Sequence, residues 1–554
     1  MAEERVTEIE NEAGQEVRWL NRVGWRETIM LVLGLLVVRT IYLIWLCPWE
    51  LLQDEAHYWE WSRHLSLSYY SKGPAIAWLI AASTGIFGVS EWAIRIPAVL
   101  SSAISALVLA RLTNDITGDQ RAGFLAAVAF SLIPIFQLES VLMTIDPPFM
   151  ASWLICAWIA WHALNAHERG DRPWLLWAAL GLAMGGGFLV KYIIVLLAPG
   201  LLLYAILRRR ELRWDRWLIL AIAIVLIGFL IGITPWTIWN SQNGWPAVRH
   251  ELGHLGAPGG DVPPQWEQPH GLGSLLELIG TQIGVIGPPA FVLIVLATIG
   301  AIRRRGERPE RWPAHCFLLS LGLPTIAFFA LASLKTGVEA NWPVSGYLTL
   351  LVIVAEYSVM DIPRWLRERR GWLRHARAAR EGGIEPPESP RSAWVVGWRW
   401  MIGFGLVSAT IVAFPNVWAR LPVAGKAIPM FRVVGARETA AYVDGLREML
   451  RASTGEEPFV IASSYGRASQ LAFYLKGRPT TYDAGRYVGR RESQYDYWAD
   501  TDLRDPALLG RPVVMVRKPA EKWQDAFEFA TFETMQEEPP VHVGTGYGGL
   551  RAPR

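Results

Sequence analysis

Cysteine is nearly absent from this 554-residue chain. The three present, Cys47, Cys156 and Cys316, lie in or beside apolar runs, and the part beyond about residue 430 has none. No disulfide framework is therefore available to staple any part of it. A surplus of one charge is also lacking: 53 Lys and Arg against 50 Asp and Glu leave a formal net charge of +3. Bulk charge therefore decides nothing about nucleic acid, and the placement of the basic residues carries the information. Residues 1–26 mix acids and bases with Trp19 and Trp25 and lack the short apolar core and small-residue cleavage site of a signal peptide. The first apolar run is expected to be an uncleaved anchor. There is no fixed-period repeat, no low-complexity tract beyond one basic linker, and no phosphate-cradling Gly-rich motif in the C-terminal part.

What the chain has in excess is long apolar runs. Stretches close to the ~20 residues that cross a ~30 Å hydrocarbon core recur at 29–46, 93–112, 122–136, 149–164, 175–190, 193–207, 218–239, 275–302, 316–334, 344–357 and 400–414. The expected fold is an α-helical polytopic membrane protein with about eleven spans. If the N-terminus, with Arg18, Arg22 and Arg26, is cytoplasmic, alternate connections should be basic. They are: Arg111 with Arg121, Arg169 with Arg172, the cluster from Arg208 to Arg216, and the cluster from Arg303 to Arg311. A basic linker containing Pro and Gly, 364–391, falls on the same side, and the last span carries the chain outward. Residues 74–87 are apolar but short and Pro-led, which suits a re-entrant or interfacial helix better than a span. Beyond 430, helix-like 438–451 and 467–475 alternate with strand-like 459–462 and 512–516, as in a small α/β domain outside the membrane.

With that topology the outer face collects the residues able to do chemistry. Asp54 and Glu55 sit in ELLQDEAHYWEWSRHLSLSYY (50–70), an aromatic-rich stretch suited to headgroup depth. Tyr70 closes it, and Lys72 follows where its ammonium could pair with a lipid phosphate or simply snorkel. Asp146, before Pro147 and Pro148, stands at the outer end of a span, either as a functional carboxylate or as a helix cap. Lys335 and Glu339, in KTGVEANWP, occupy a short outer connection where interfacial anchoring competes with a substrate role. Arg249, His250 and His254 belong to a later outer loop. HELGH (250–254) matches the zincin string, with two histidines at i, i+4 and a glutamate base. Gly253 weakens the helix, and Pro246 and Pro258 bracket it. His250 and His254 remain candidate metal ligands or polar contacts.

Taken in order, QDEAHYWEWSRHLSLSYYSKGPAIAWL, GVSEWAIRIPAVL, MTIDPPFM, KTGVEANWP and SYGRASQLAFYLKGRPTTYD resemble the family 39 glycosyltransferases. These include the protein O-mannosyltransferases and the bacterial aminoarabinose transferases that modify lipid A. The resemblance implies the GT-C fold and transfer of a sugar from a polyprenyl-phosphate donor with inversion. Asp54 and Glu55 match the family's Asp-Glu pair, and Asp146 matches the carboxylate of the second outer loop. Where the aminoarabinose transferases have Glu-Lys-Pro, with the lysine toward the donor phosphate, this chain reads Ser71-Lys72-Gly73-Pro74: the lysine is kept and its acidic neighbour is not. Arg249 would be a second phosphate contact by analogy, and His250, Tyr70, Lys335 and Glu339 are further substrate-binding candidates.

On this reading, 1–28 is a cytoplasmic N-terminus and 29–359 a transmembrane catalytic domain with outer loops 48–91 and 240–274. Residues 360–396 are a cytoplasmic linker, 397–415 the last span, and 430–554 an extracytoplasmic α/β domain. The partners are a polyprenyl-phosphate sugar, a lipid, glycan or protein acceptor on the outer face of a bacterial cytoplasmic membrane, and the bilayer, with no nucleic acid. No cofactor is obligatory, and a divalent metal stays open. A secondary transporter or flippase would suit many spans with a basic inside face equally well, and Lys191 after Gly185, Gly186 and Gly187 leans that way. A membrane metalloprotease using His250, Glu251 and His254 is the third reading.

Overall fold

The computed structural model describes residues 23–261, 271–381, 385–421, 430 and 434–551. Arg18 and Arg22 of the N-terminus, 262–270 of the later outer loop, 382–384 of the linker and the first part of the C-terminal domain lie outside them. Six helices among the described residues are long and apolar enough to cross a membrane: Trp25–Leu46, Glu91–Thr117, Asp146–Glu168, Trp312–Ala332, Trp342–Ala379 and Ala393–Ala413. Two broken pairs, Arg216–Gly232 with Thr234–Gln242 and Leu272–Ile286 with Pro288–Arg303, raise the number to eight if each is one span. Ala75–Phe87, Trp174–Val190 and Tyr192–Leu207 are shorter apolar helices.

The apolar runs expected to give about eleven spans are thus cut at specific residues. The run 122–136 breaks at Ile133, where Pro134 begins a new short helix, because proline supplies no N–H and clashes with the turn before it. The run 275–302 bends by 105° at Gly287, whose φ of +86° is open to glycine. The expected linker differs as well. Ser345–Glu381 is one helix that runs through Pro363 into the basic segment, where Arg, Ala, Leu and Glu favour helix. Pairs such as Arg364 with Asp361 and Arg377 with Glu381 bridge one turn.

The chain divides into two compact units. The first comprises Met1–Trp45, Ala98–Ile233 and His270–Ala413 and is a helical bundle. Small residues set its closest approach. A Cβ on Gly181 would stand 2.3 Å from Val225 O, and one on Gly185 would stand 2.7 Å from Gly232 Cα. In lipid, such small-residue faces replace the hydrophobic effect as the source of helix pairing. Gly185 is therefore a packing residue.

The second unit comprises Leu46–Pro97, Thr234–Pro269 and Phe414–Arg554. Its centre is a five-stranded sheet of β1 (Phe459–Ala462), β2 (Thr481–Asp483), β3 (Val513–Val516), β5 (Thr531–Gln536) and β6 (Val541–Thr545), in the order β2-β1-β3-β6-β5. A separate pair joins β4 (Phe527–Glu528) to β7 (Gly549–Leu550). Strands β2, β1 and β3 are parallel, and β6 is antiparallel to both β3 and β5. Alternation sorts the side chains between two cores. Val460, Ala462, Val514, Val516, Val541 and Val543 face Val443, Leu446, Leu450, Ala468 and Leu471 of the helices Ala436–Thr454 and Tyr465–Tyr474. Phe459, Ile461, Val513 and Met515 face Trp523, Phe527 and Tyr547.

Candidate active site

Within the second unit the first loop is bound to the α/β domain. The helix Gln53–Arg63 lies on the helix Tyr465–Tyr474, and a Cβ on Gly466 would come 2.6 Å from Gln53 Cβ. Trp61 Nε1 donates to His57 Nε2 at 3.0 Å, which leaves His57 Nδ1–H to donate to Ser469 Oγ, also at 3.0 Å. Burial in this aromatic pocket, helped by the charge of Arg491, pushes His57 down to about 3, so the ring is neutral. Tyr474 OH accepts from Leu51 N–H, and Gln470 Nε2 donates to Leu51 O.

The two carboxylates of the Asp-Glu pair have opposite surroundings. Glu55 is fully buried and held by Arg95, with Nε to Oε1 at 2.8 Å and Nη2 to Oε2 at 2.7 Å. The same guanidinium donates to Trp49 O and Glu50 O. A bidentate fork of this kind fixes position. Asp54, in the first helical turn, is exposed, and its charge is the first cause that raises the Tyr465 phenol to about 12.

Beside it lies a polar cluster. Lys72 Nζ meets Glu251 Oε1 at 3.1 Å. Tyr70 OH donates to the Asp261 carboxylate, and His250 Nδ1 is 3.3 Å from Asp261 Oδ1. His254 Nε2 and His250 Nε2 are 3.0 Å apart. Arg491 Nη1 stands 2.8 Å from His250 Nδ1 and 3.2 Å from Nε2. Partial burial pushes the Glu251 carboxyl up, but Lys72 and the two histidines outweigh it and hold it below its ordinary value. Burial, the charge of His250 and that of Lys72 bring His254 down to about 3, and burial also lowers His250. Arg249 lends its charge to Tyr497. The HELGH segment does form the helix Pro246–His254 with both imidazoles on one face. Its glutamate is paired with Lys72 and its histidines with each other. Among the described residues no group of three or more His, Cys, Asp or Glu side chains is arranged to hold a metal ion.

The first unit holds a second buried constellation. Asp146 begins the helix Asp146–Glu168 without capping it. Its Oδ1 meets Lys191 Nζ at 2.6 Å, and its Oδ2 accepts from Asn341 Nδ2 at 2.7 Å. Lys191 stands where the helix Trp174–Val190 ends in an extended residue, and Asp146 and Lys191 are each about 5% exposed. Lys335 and Glu339, from the segment that supplies Asn341, are exposed. Asp146, Lys335 and Glu339 thus belong to one unit, and Asp54, Glu55, Tyr70, Lys72, Arg249, His250 and His254 to the other.

Residues 71–239 match the family model described as dolichyl-phosphate-mannose-protein mannosyltransferase. The lipid A galacturonosyltransferase RgtD of Rhizobium johnstonii is 29% identical over 344 residues, 62% of this chain and 67% of that protein. The solved ArnT of Cupriavidus metallidurans bound to undecaprenyl phosphate superposes with a TM-score of 0.57 at 17% identity, covering 95% of this chain and 99% of that one. The chain has the GT-C membrane fold. The undecaprenyl phosphate-alpha-4-amino-4-deoxy-L-arabinose arabinosyl transferase of Pseudomonas aeruginosa is 32% identical over 183 residues, 32% of each chain. The match therefore spans about a third of that relative's length. The expected GT-C architecture with a small C-terminal α/β domain holds.

Sequence reasoning about this GT-C chain missed Arg95, Asp261, Tyr465 and Arg491, and it treated Lys191 as a transporter feature. Arg95 lies in GVSEWAIRIPAVL and Tyr465 in SYGRASQLAFYLKG, two of the stretches that carry the resemblance, so a signal was there for them. Asp261 and Arg491 sit in loops with nothing local to single them out.

Proposed function

We propose that this protein transfers a sugar from a polyprenyl-phosphate donor to a lipid acceptor of the lipid A class. The reaction takes place on the outer face of the bacterial cytoplasmic membrane, and Asp54 is the general base. The observation that carries the reading is the contrast within the Asp-Glu pair: Glu55 is locked by Arg95, while its neighbour Asp54 is exposed, in the same unit as Lys72 and Tyr70 and acting on Tyr465 together with Arg491 of the polar cluster.

Asp54 takes the proton of the acceptor hydroxyl as its oxygen attacks the anomeric carbon from the face opposite the phosphate. The new C–O bond forms as the anomeric C–O bond to phosphate breaks, and the electron pair leaves with the polyprenyl phosphate, inverting the centre. Lys72 exchanges Glu251 for the departing phosphate and stabilises its charge, with Arg249 as a second cation. Tyr70 and His250 shape the pocket, Glu55 positions Asp54 through Arg95, and Lys335 and Glu339 meet headgroups. Asp146, held by Lys191 and Asn341 within the helical unit, is a second functional carboxylate by the family resemblance. The two loops and the α/β domain share one unit, which supports placing them on one side of the membrane.

The test is transfer from a panel of polyprenyl-phosphate sugars by purified protein in liposomes, comparing wild type with Asp54→Asn. Loss of turnover with donor binding kept supports the base. Substrate flux across the liposome without transfer would favour a transporter. A metalloprotease requires Glu251→Gln to be the more damaging change, whereas here Asp54→Asn should be.

A further inference from the structure

The α/β domain has a further polar centre at the carboxyl edge of its parallel strands. The chain leaves β1 over one face of the sheet, by the helix Tyr465–Tyr474, and enters β3 from the other face, where Leu503 and Leu508 pack. Neighbouring parallel strands whose connections run to opposite faces open a crevice at their carboxyl ends, where open α/β sheets take ligands. Here the pairing ends at Ala462 with Val516, so Ser463 and Ser464 stand at the end of one strand and Arg517 at the end of the other. Ser463 Oγ donates to Arg517 O at 3.0 Å, and Arg517 N–H donates to Pro540 O. Both ends of the Arg517 backbone are thus tied, with φ at +77°.

Ser464 is the N-cap of the helix Tyr465–Tyr474, yet its side chain caps nothing. It is 7% exposed, and its hydroxyl has no hydrogen-bond partner among the described residues. The first N–H groups of the helix, which no preceding turn can satisfy, lie beside it. Two guanidiniums belong to the same edge. Arg467, in the first turn, donates from Nη1 to the neutral Gln470 amide at 2.9 Å, and Arg517 Nε is buried without a hydrogen bond among the described residues. Burial, and after it the charge of Arg517, holds Arg467 below its ordinary value, and burial lowers Arg517 too. The carboxylate that acts on Arg467, Glu50, accepts from the N–H groups of Ala436 and Arg437.

A buried hydroxyl, free helix N–H groups and two arginines match the oxygens and the charge of a phosphate. Gly466, between Ser464 and Arg467, packs on Gln53 next to Asp54, so the crevice adjoins the loop that carries the proposed base. The donor phosphate is already provided for by Lys72 on the reading above. We propose that this crevice is an oxyanion subsite, in which Ser464, Arg467, Arg517 and the first N–H groups of the helix hold a phosphate monoester of the acceptor apart from the hydroxyl that reacts. The soluble domain then anchors the acceptor at a second point and turns that hydroxyl toward Asp54. This inference rests on the proposed transfer reaction.

The test measures binding to the full-length protein in nanodiscs of zwitterionic lipid. The probes are lipid A with its phosphates, the same lipid A dephosphorylated, and undecaprenyl phosphate, and the proteins are wild type, Arg467→Gln, Arg517→Gln and Ser464→Ala. Wild type should bind the phosphorylated lipid A roughly 10-fold more tightly than the dephosphorylated form. Each arginine change should cut that preference below about 3-fold and leave affinity for undecaprenyl phosphate within about twofold. Ser464→Ala should fall between and keep the wild-type melting temperature. Equal binding of the two lipid A forms by wild type overturns the proposal, as does an unchanged preference in the variants. An equal loss of affinity for undecaprenyl phosphate would assign the crevice to the donor and also overturn it. Where Arg517→Gln does not fold, Arg467→Gln and Ser464→Ala decide. If no donor turns over, the transfer reading fails on its own, and the binding preference still decides this one.

Discussion

Asp54 and Glu55 are adjacent in sequence, and helical geometry sends one outward and the other into Arg95. Asp54→Asn keeps the shape and removes the base, so kcat should fall roughly 100-fold or more while donor affinity stays within about twofold. A mutant that retained turnover would sink Asp54 as the base. Glu55→Gln acts differently, because it leaves Arg95 buried without its counter-charge. It should lower expression and melting temperature as well as activity, as read by fluorescence melting. The histidines add a pH signature. His57 and His254 titrate near 3 when folded and near 6.5 when unfolded, so between these values the unfolded chain binds more protons and stability falls as pH drops. Asp483, raised to about 6 by burial, works in the opposite sense between its unfolded value and 6. His57→Gln should therefore reduce the dependence of melting temperature on pH between about 4 and 6 by the equivalent of roughly one proton. An unchanged slope would show that His57 is not held neutral.

At the scale of elements, two contacts fix geometry that no single helix specifies. Gly466 lets the helix Tyr465–Tyr474 approach Gln53. Gly466→Ala should cost about 1–3 kcal/mol in chemical denaturation and loosen the hydrogen bonds that reach His57 and Leu51. In the helical unit, Lys191→Met strands the Asp146 carboxylate and should destabilise by about 3–5 kcal/mol. The double change Asp146→Asn with Lys191→Met should recover much of that stability. Recovery of stability without recovery of transfer would separate a functional Asp146 from a purely structural one.

For the whole molecule, the proposed sidedness can be read by labelling. With Cys47, Cys156 and Cys316 replaced, single cysteines at the exposed positions Lys476 and Arg305 report opposite faces. A membrane-impermeant maleimide should modify position 476 in intact spheroplasts and position 305 only after lysis. Modification of 305 in intact cells would invert the topology and remove the outer-face reaction.

The sequence by itself determined the membrane class, the basic connections, the α/β character beyond 430 and the Asp54-Glu55 and Lys72 signals. Run length, charge placement and local motif are all properties of neighbouring residues. It could not determine where Pro134 and Gly287 cut the apolar runs, since a break competes with the packing around it. Nor could it determine that basic residues after 360 would continue a helix. The partners of the candidate residues were beyond it entirely: Lys72 with Glu251 is separated by 179 residues, His250 with Arg491 by 241, and Asp146 with Asn341 by 195. Contacts at such separations are set by which elements pack together. Packing is decided by the summed fit of many side chains, so Arg491 entered the candidate site only through the tertiary structure.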